Sequence, residues 1–147
     1  MNTRVLALTL LIAWLVSCTD SNKAAEPGPL PGTTWRLVSM SGNLANVSPA
    51  TGNRMTWQET YAFHTDGTFT KKRERDGVTT EASGTFAIVA YNFDEFVELT
   101  YPTDDPIIGN CSALPVEMLQ QVSDSLVGTW QICDGPGLVY KMVSADK

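Results

Sequence analysis

The chain has 147 residues, with 10 Lys and Arg against 16 Asp and Glu, a formal net charge of −6 and 3 cysteines. An acidic surface of this kind is repelled by nucleic-acid phosphates and gains nothing from anionic lipid, so nucleic-acid partners are excluded. At 43% hydrophobic residues the chain can fill the core of one ordinary domain.

The first element is a leader. Arg4 supplies its positive start, Val5 to Val16 its apolar stretch, and Leu15-Val16-Ser17-Cys18 its end. The stretch falls short of the roughly 20 apolar residues that a transmembrane helix needs. Leu-Val-Ser-Cys resembles the lipobox of bacterial lipoproteins, which implies that residues 1–17 are removed and that Cys18 is acylated. The resemblance further implies a cell-envelope location, on the outer membrane where the cell has one, because Thr19 rather than Asp follows the Cys. Losing Arg4 leaves 9 basic against 16 acidic residues, a net charge of −7, so the membrane is reached through the acyl chains on Cys18. Residues 18–31 are polar, then rich in Pro and Gly, and read as a flexible tether; residues 32–147 form the domain.

Strands then follow one another. Thr34–Met40 is the first, and a long polar loop, Ser41–Arg54, separates it from the next. Met55–Val89 reads as three strands joined by turns at Asp66-Gly67 and Asp76-Gly77, where Gly accepts the positive φ of a tight hairpin. A three-residue loop Thr65-Asp66-Gly67 sets Phe63 opposite Phe69, and a two-residue loop Asp76-Gly77 sets Lys72 opposite Glu81. Alternation then collects Trp57, Tyr61, Phe63, Phe69, Val78, Ala82, Phe86 and Ile88 on one buried face. Glu95–Tyr101 follows, ended by Pro102-Thr103-Asp104-Asp105-Pro106. Leu114–Val122, Leu126–Cys133 and Leu138–Val143 finish the chain, with turns at Ser123-Asp124 and Asp134–Gly137. Eight short strands with hairpin-length loops predict an all-β, eight-stranded antiparallel up-and-down barrel.

With Cys18 assigned to lipid, Cys111 and Cys133 remain, and in an oxidising envelope their simplest state is a disulfide. If Ser123-Asp124 is the turn, plain strand register places Cys133 opposite Leu114, so the chain must bend near Pro115 for the sulfurs to meet.

Gly32-Thr33-Thr34-Trp35 opens the first strand much as the lipocalin Gly-x-Trp does. The hairpin motifs Asp66-Gly67-Thr68-Phe69, Gly84-Thr85-Phe86 and Gly128-Thr129-Trp130 are similar to those of that family. The domain therefore resembles a lipocalin-like bacterial lipoprotein, a small calycin-type barrel. The resemblance implies that Trp35 plugs one end and that the barrel binds a small ligand.

No constellation for catalysis assembles. His64 is the single His and sits beside a turn, the serines lack a nucleophile-elbow setting, and no helix follows Gly135-Pro136-Gly137 to cradle a phosphate. A non-enzymatic protein is expected, with no cofactor and no metal site. The informative anomaly is Lys71-Lys72-Arg73-Glu74-Arg75, because alternation puts Lys71, Arg73 and Arg75 on the same face as Phe69. One reading makes them the cationic mouth of an apolar cup. Trp57, Glu59 and Tyr61 would join them there to receive an anionic or amphipathic ligand. In the other, the hairpin tip projects past the rim and the charges are merely solvated. Two function classes stay open: a lipid-anchored binder of such a ligand, and an envelope interaction module with a filled core and a protein partner.

Overall fold

The computed structural model describes residues 31–42 and 47–145. The leader, the lipobox Cys18 and almost all of the tether lie outside the described residues. Eight strands close into one antiparallel up-and-down barrel: β1 (Thr33–Ser41), β2 (Gln58–Phe63), β3 (Thr68–Arg75), β4 (Val78–Tyr91), β5 (Asp94–Thr100), β6 (Val116–Val122), β7 (Ser125–Gly128) and β8 (Gly137–Ala145). Closure is made by β1 against β8, with Trp35 opposite Met142 and Leu37 opposite Tyr140.

The hairpins obey the turn chemistry. Phe63 pairs with Phe69 across the Thr65–Gly67 loop, and Lys72 pairs with Glu81, their charges 3.0 Å apart on the outer surface. Gly67 (φ 83), Asp76 (φ 53) and Gly77 (φ 77) hold the left-handed conformations these turns require. The β4–β5 turn has no such sequence signature. Its central residues are Asn92 (φ 49) and Phe93 (φ 73), so an aromatic residue stands where glycine is the usual choice.

Side chains of alternating residues fill the interior. Near the start of β1, Trp35 is buried and donates its Nε1–H to Thr33 Oγ1 at 2.9 Å, and the rings of Phe63 and Phe86 meet edge to face at 5.0 Å. Below Trp35 lie Leu37, Phe69, Leu99, Leu119, Leu126 and Leu138, all with 0–1% of their surface exposed. Burying such a side chain stabilises the fold by about 1.5–3 kcal/mol each, so these residues are a large part of the one continuous core.

Three expectations need correcting. Val78 and Ile88 carry the inward parity, yet they are 65% and 46% exposed. The reason is stagger. β4 pairs with β3 through Val78–Thr85 and with β5 through Thr85–Tyr91, so each half overhangs the barrel at a different end. The strand expected over Leu126–Cys133 keeps its ladder only through Gly128, after which Thr129–Cys133 forms a 3-10 turn. That departure is how the sulfurs meet. Leaving the ladder frees Cys133 from the register that would have set it against Leu114, and Cys111 and Cys133 are joined with their Cα atoms 5.6 Å apart. The strand expected from Leu114 starts instead at Val116.

Candidate functional site

The end of the barrel opposite Trp35 holds the charged residues. Glu59 on β2 stands directly across the ladder from Arg73 on β3, and both point inward. Arg73 Nε donates to Glu59 Oε2 at 2.5 Å. Lys71, one inward position deeper on β3, is wholly buried. Its Nζ lies 3.0 Å from each oxygen of Glu117 on β6, 3.3 Å from Glu59 Oε1, and donates to the Ile107 carbonyl at 2.7 Å. Two carboxylates and two cations thus neutralise one another, with Glu59, Lys71 and Glu117 shut off from water and Arg73 at the rim. Each ion buried alone would cost several kcal/mol, which is why all four occur together.

Hydroxyls complete the cluster. Tyr140 donates to Glu59 Oε1 at 2.6 Å, Tyr101 to Glu117 Oε2 at 2.6 Å and Tyr61 to Glu117 Oε1 at 3.0 Å. The Gly109 N–H adds a further bond to Glu117 Oε1 at 3.2 Å. Burial pushes the Tyr61, Tyr101 and Tyr140 hydroxyls well above the ordinary phenol range, and the neighbouring Glu59 and Glu117 charges push them further. They are therefore neutral donors at any physiological pH.

The mouth itself is covered by the chain. After Tyr101 the backbone crosses the opening, and Ile107 and Ile108 are buried beneath it. The Ile107 carbonyl accepts from both Lys71 and Arg73, and the Pro106 carbonyl from Arg73 at 3.5 Å. The disulfide secures the far side of this lid by tying Cys111 to the Thr129–Cys133 turn, whose Trp130 ring lies close over Gly109 and Gly135.

Among the described residues the interior shows no empty cup at this level. A void large enough for a ligand would leave water-accessible surface on its walls, whereas Tyr61, Phe69, Lys71, Leu99, Leu119, Leu126 and Tyr140 all have 0% exposure. Among the described residues, no three His, Cys, Asp or Glu side chains are grouped to hold a metal ion.

The residues singled out by alternation are brought together unequally. Lys71, Arg73, Glu59 and Tyr61 meet in the network. Trp57, just before β2, caps it from outside, with the Arg73 and Arg75 guanidinium groups 4.7 and 5.8 Å from its ring centroid. Arg75 is 61% exposed on the overhanging tip, so it lies outside the barrel and not in a mouth. Its charge is shared with Asp76 beside it, at 3.7 Å. Three members of the network went unread: Glu117, Tyr101 and Tyr140. Their signal was the same parity, Glu117 with Leu119, Tyr101 with Leu99 and Tyr140 with Leu138.

Comparison with known proteins finds no matching family model, no matching curated protein and no matching solved structure.

Proposed function

We propose that this chain is a lipid-anchored protein of the bacterial cell envelope, acylated at Cys18, whose lipocalin-like barrel serves as a non-enzymatic protein-interaction module. The observation that carries this reading is the filled interior. The positions that would form a carrier's cup are occupied by Glu59, Lys71, Glu117 and three tyrosines, and the mouth by Pro106–Gly109. Opening such a barrel for a ligand requires parting charges that have no water to replace their partners. A protein of this build offers its outer surface, and the acyl anchor holds that surface at the membrane.

The carrier reading retains one foothold at the rim. Arg73 keeps 12% of its side-chain surface exposed, and Arg75 and Trp57 stand beside it. The buried Trp57 Nε1–H has no acceptor among the described residues. An anion could take up these donors without entering the barrel.

Titrating Trp fluorescence with fatty acids and with inorganic phosphate separates the two. The module reading expects no saturable change. Saturable binding that Arg73→Ala abolishes would establish the carrier reading in its place. Anchoring has its own test, since Cys18→Ser should release the protein from membranes or block its processing. A wild-type protein that is soluble, with an N-terminus elsewhere, would remove the lipoprotein part.

A further inference from the structure

Along half its length, β4 is hydrogen-bonded on one side only among the described residues. Residues Val78–Thr85 pair with β3, and pairing with β5 begins only at Thr85 opposite Thr100. The Phe86 N–H points to the β3 side, where it reaches the Gly67 carbonyl at 3.0 Å. Backbone groups alternate along a strand, so those of Thr79, Glu81 and Ser83 point away from β3. They find no backbone partner among the described residues. Here β5 turns off into the barrel. The Thr100 carbonyl passes so close over Gly84 that a Cβ there would stand 2.0 Å from it, and Tyr101 plunges into the core. What remains is a straight edge from Val78 to Ser83. It ends in a cleft of about 590 Å³ that Ser83, Gly84 and Thr85 share with Thr100 and Pro102.

Such edges are normally blunted by proline, inward charge or a bulge, because open N–H and C=O groups recruit another strand. This one has none of these. Its register with β3 is continuous, and half of its residues, Val78, Thr79 and Thr80, are β-branched types that favour strands. We propose that this edge is the docking site of the module, and that its occupant is an extended segment of a partner protein, added as a further strand with a Lys or Arg facing Glu81. The inference rests on the interaction-module reading and names the surface that reading leaves open.

Charge decides between occupants. A second copy pairing over the whole of Val78–Gly84 would have its twofold axis at Glu81 and would set Glu81 directly against its own counterpart, an unfavourable like-charge pair. Glu81 meets Lys72 across the β3 ladder at 3.0 Å and keeps about half of its side chain exposed, so a basic residue of another chain in that place shares its carboxylate with Lys72 and is drawn by the −7 charge of the chain without its leader. Pockets for side chains on alternate positions, with main-chain bonds between them, are the general logic of strand addition.

The test is backbone hydrogen exchange of the full chain in detergent, with and without alternating Thr/Val peptides about ten residues long. One peptide carries a central Lys, a second a central Glu. The Lys peptide should slow exchange at Thr79, Glu81 and Ser83 by about tenfold or more, leaving β1 and β8 unchanged. Glu81→Pro should abolish this protection while the protein still unfolds cooperatively, since the lost N–H belongs to the open edge and not to the β3 ladder. Glu81→Lys should reverse the preference towards the Glu peptide. The proposal is overturned if neither peptide protects these amides. It is also overturned if they are already slow in the free monomer, which would mean that the chain covers its own edge, or become slow with protein concentration alone, which would mean a second copy. In any of these cases a barrel that still refuses amphiphiles leaves the module reading standing with a different surface, whereas amphiphile entry would remove that reading itself.

Discussion

Lys71 Nζ sits 3.0 Å from both oxygens of Glu117, a residue 46 positions away and three strands further round the barrel. Neither has water to fall back on, since Lys71 is 0% and Glu117 2% exposed. The pair and its neighbours Glu59 and Arg73 form a neutral set, which the loss of any single member unbalances.

Removing one member should therefore cost far more than removing two. Glu117→Ala is expected to destabilise the domain by about 3–5 kcal/mol, because Lys71 is left with too little compensating charge. Lys71→Met combined with Glu117→Gln should recover a large part of that loss, since Glu59 and Arg73 still neutralise each other and Gln still accepts from Tyr61. Urea unfolding of the single and double variants measures both. A double variant no more stable than Glu117→Ala would show that the network is held by its hydroxyls rather than by charge balance.

High pH should unfold the protein through its tyrosines. Tyr61, Tyr101 and Tyr140 have their hydroxyls raised by burial first and by the neighbouring carboxylates second. In the unfolded chain a tyrosine ionises near pH 10. The folded value lies above the unfolded one, so the stabilising contribution is complete below about pH 10 and is lost as pH rises beyond it. Each of the three contributes a slope of about 1.4 kcal/mol per pH unit there. Absorbance of tyrosinate and circular dichroism, followed together, should show most of the tyrosinate appearing only as the fold is lost.

Reducing the disulfide should loosen the lid before it loosens the barrel. The bridge spans 22 residues, and closing a loop of that length is worth about 3 kcal/mol in the unfolded chain. Cys111→Ser with Cys133→Ser should lower stability by about that amount. Hydrogen exchange at Ile108 and Gly109 should rise more than at Leu99 or Leu119. Uniform change across the barrel would mean that the bridge does not locally secure the lid.

Phe93→Gly should stabilise the protein. Phe93 stands at φ 73 in the β4–β5 turn with its ring wholly exposed, so glycine relieves the conformation and gives up no packing. A gain of about 1 kcal/mol in urea unfolding is expected. A loss would reveal that the ring has a partner in solution.

Periodicity and turn chemistry carried most of the β2–β4 meander. Phe63 against Phe69 and Lys72 against Glu81 follow from two glycine turns and a period of two, because both are local rules that need no knowledge of the rest of the chain. The same rule turned Lys71 and Arg73 inward, and it would have turned Glu117, Tyr101 and Tyr140 inward as well. Parity names the face of a residue but not its height in the barrel. It could not show that Val78 and Arg75 overhang the rim while Lys71 is sealed, since that depends on how far each strand is staggered against the next.

The sequence by itself determined the strand count, the antiparallel order and the turns of the β2–β4 meander, and it offered Cys111 and Cys133 as a pair to join. These rest on interactions within a few residues, or on simple arithmetic. Only the tertiary structure decided that the cations are answered by the chain's own carboxylates and that the Tyr101–Gly109 segment covers the mouth. It alone also left one edge of β4 without a backbone partner among the described residues. Those outcomes come from strands and loops tens of residues apart meeting in one small volume, where the loss of water makes every buried charge find its partner inside the fold.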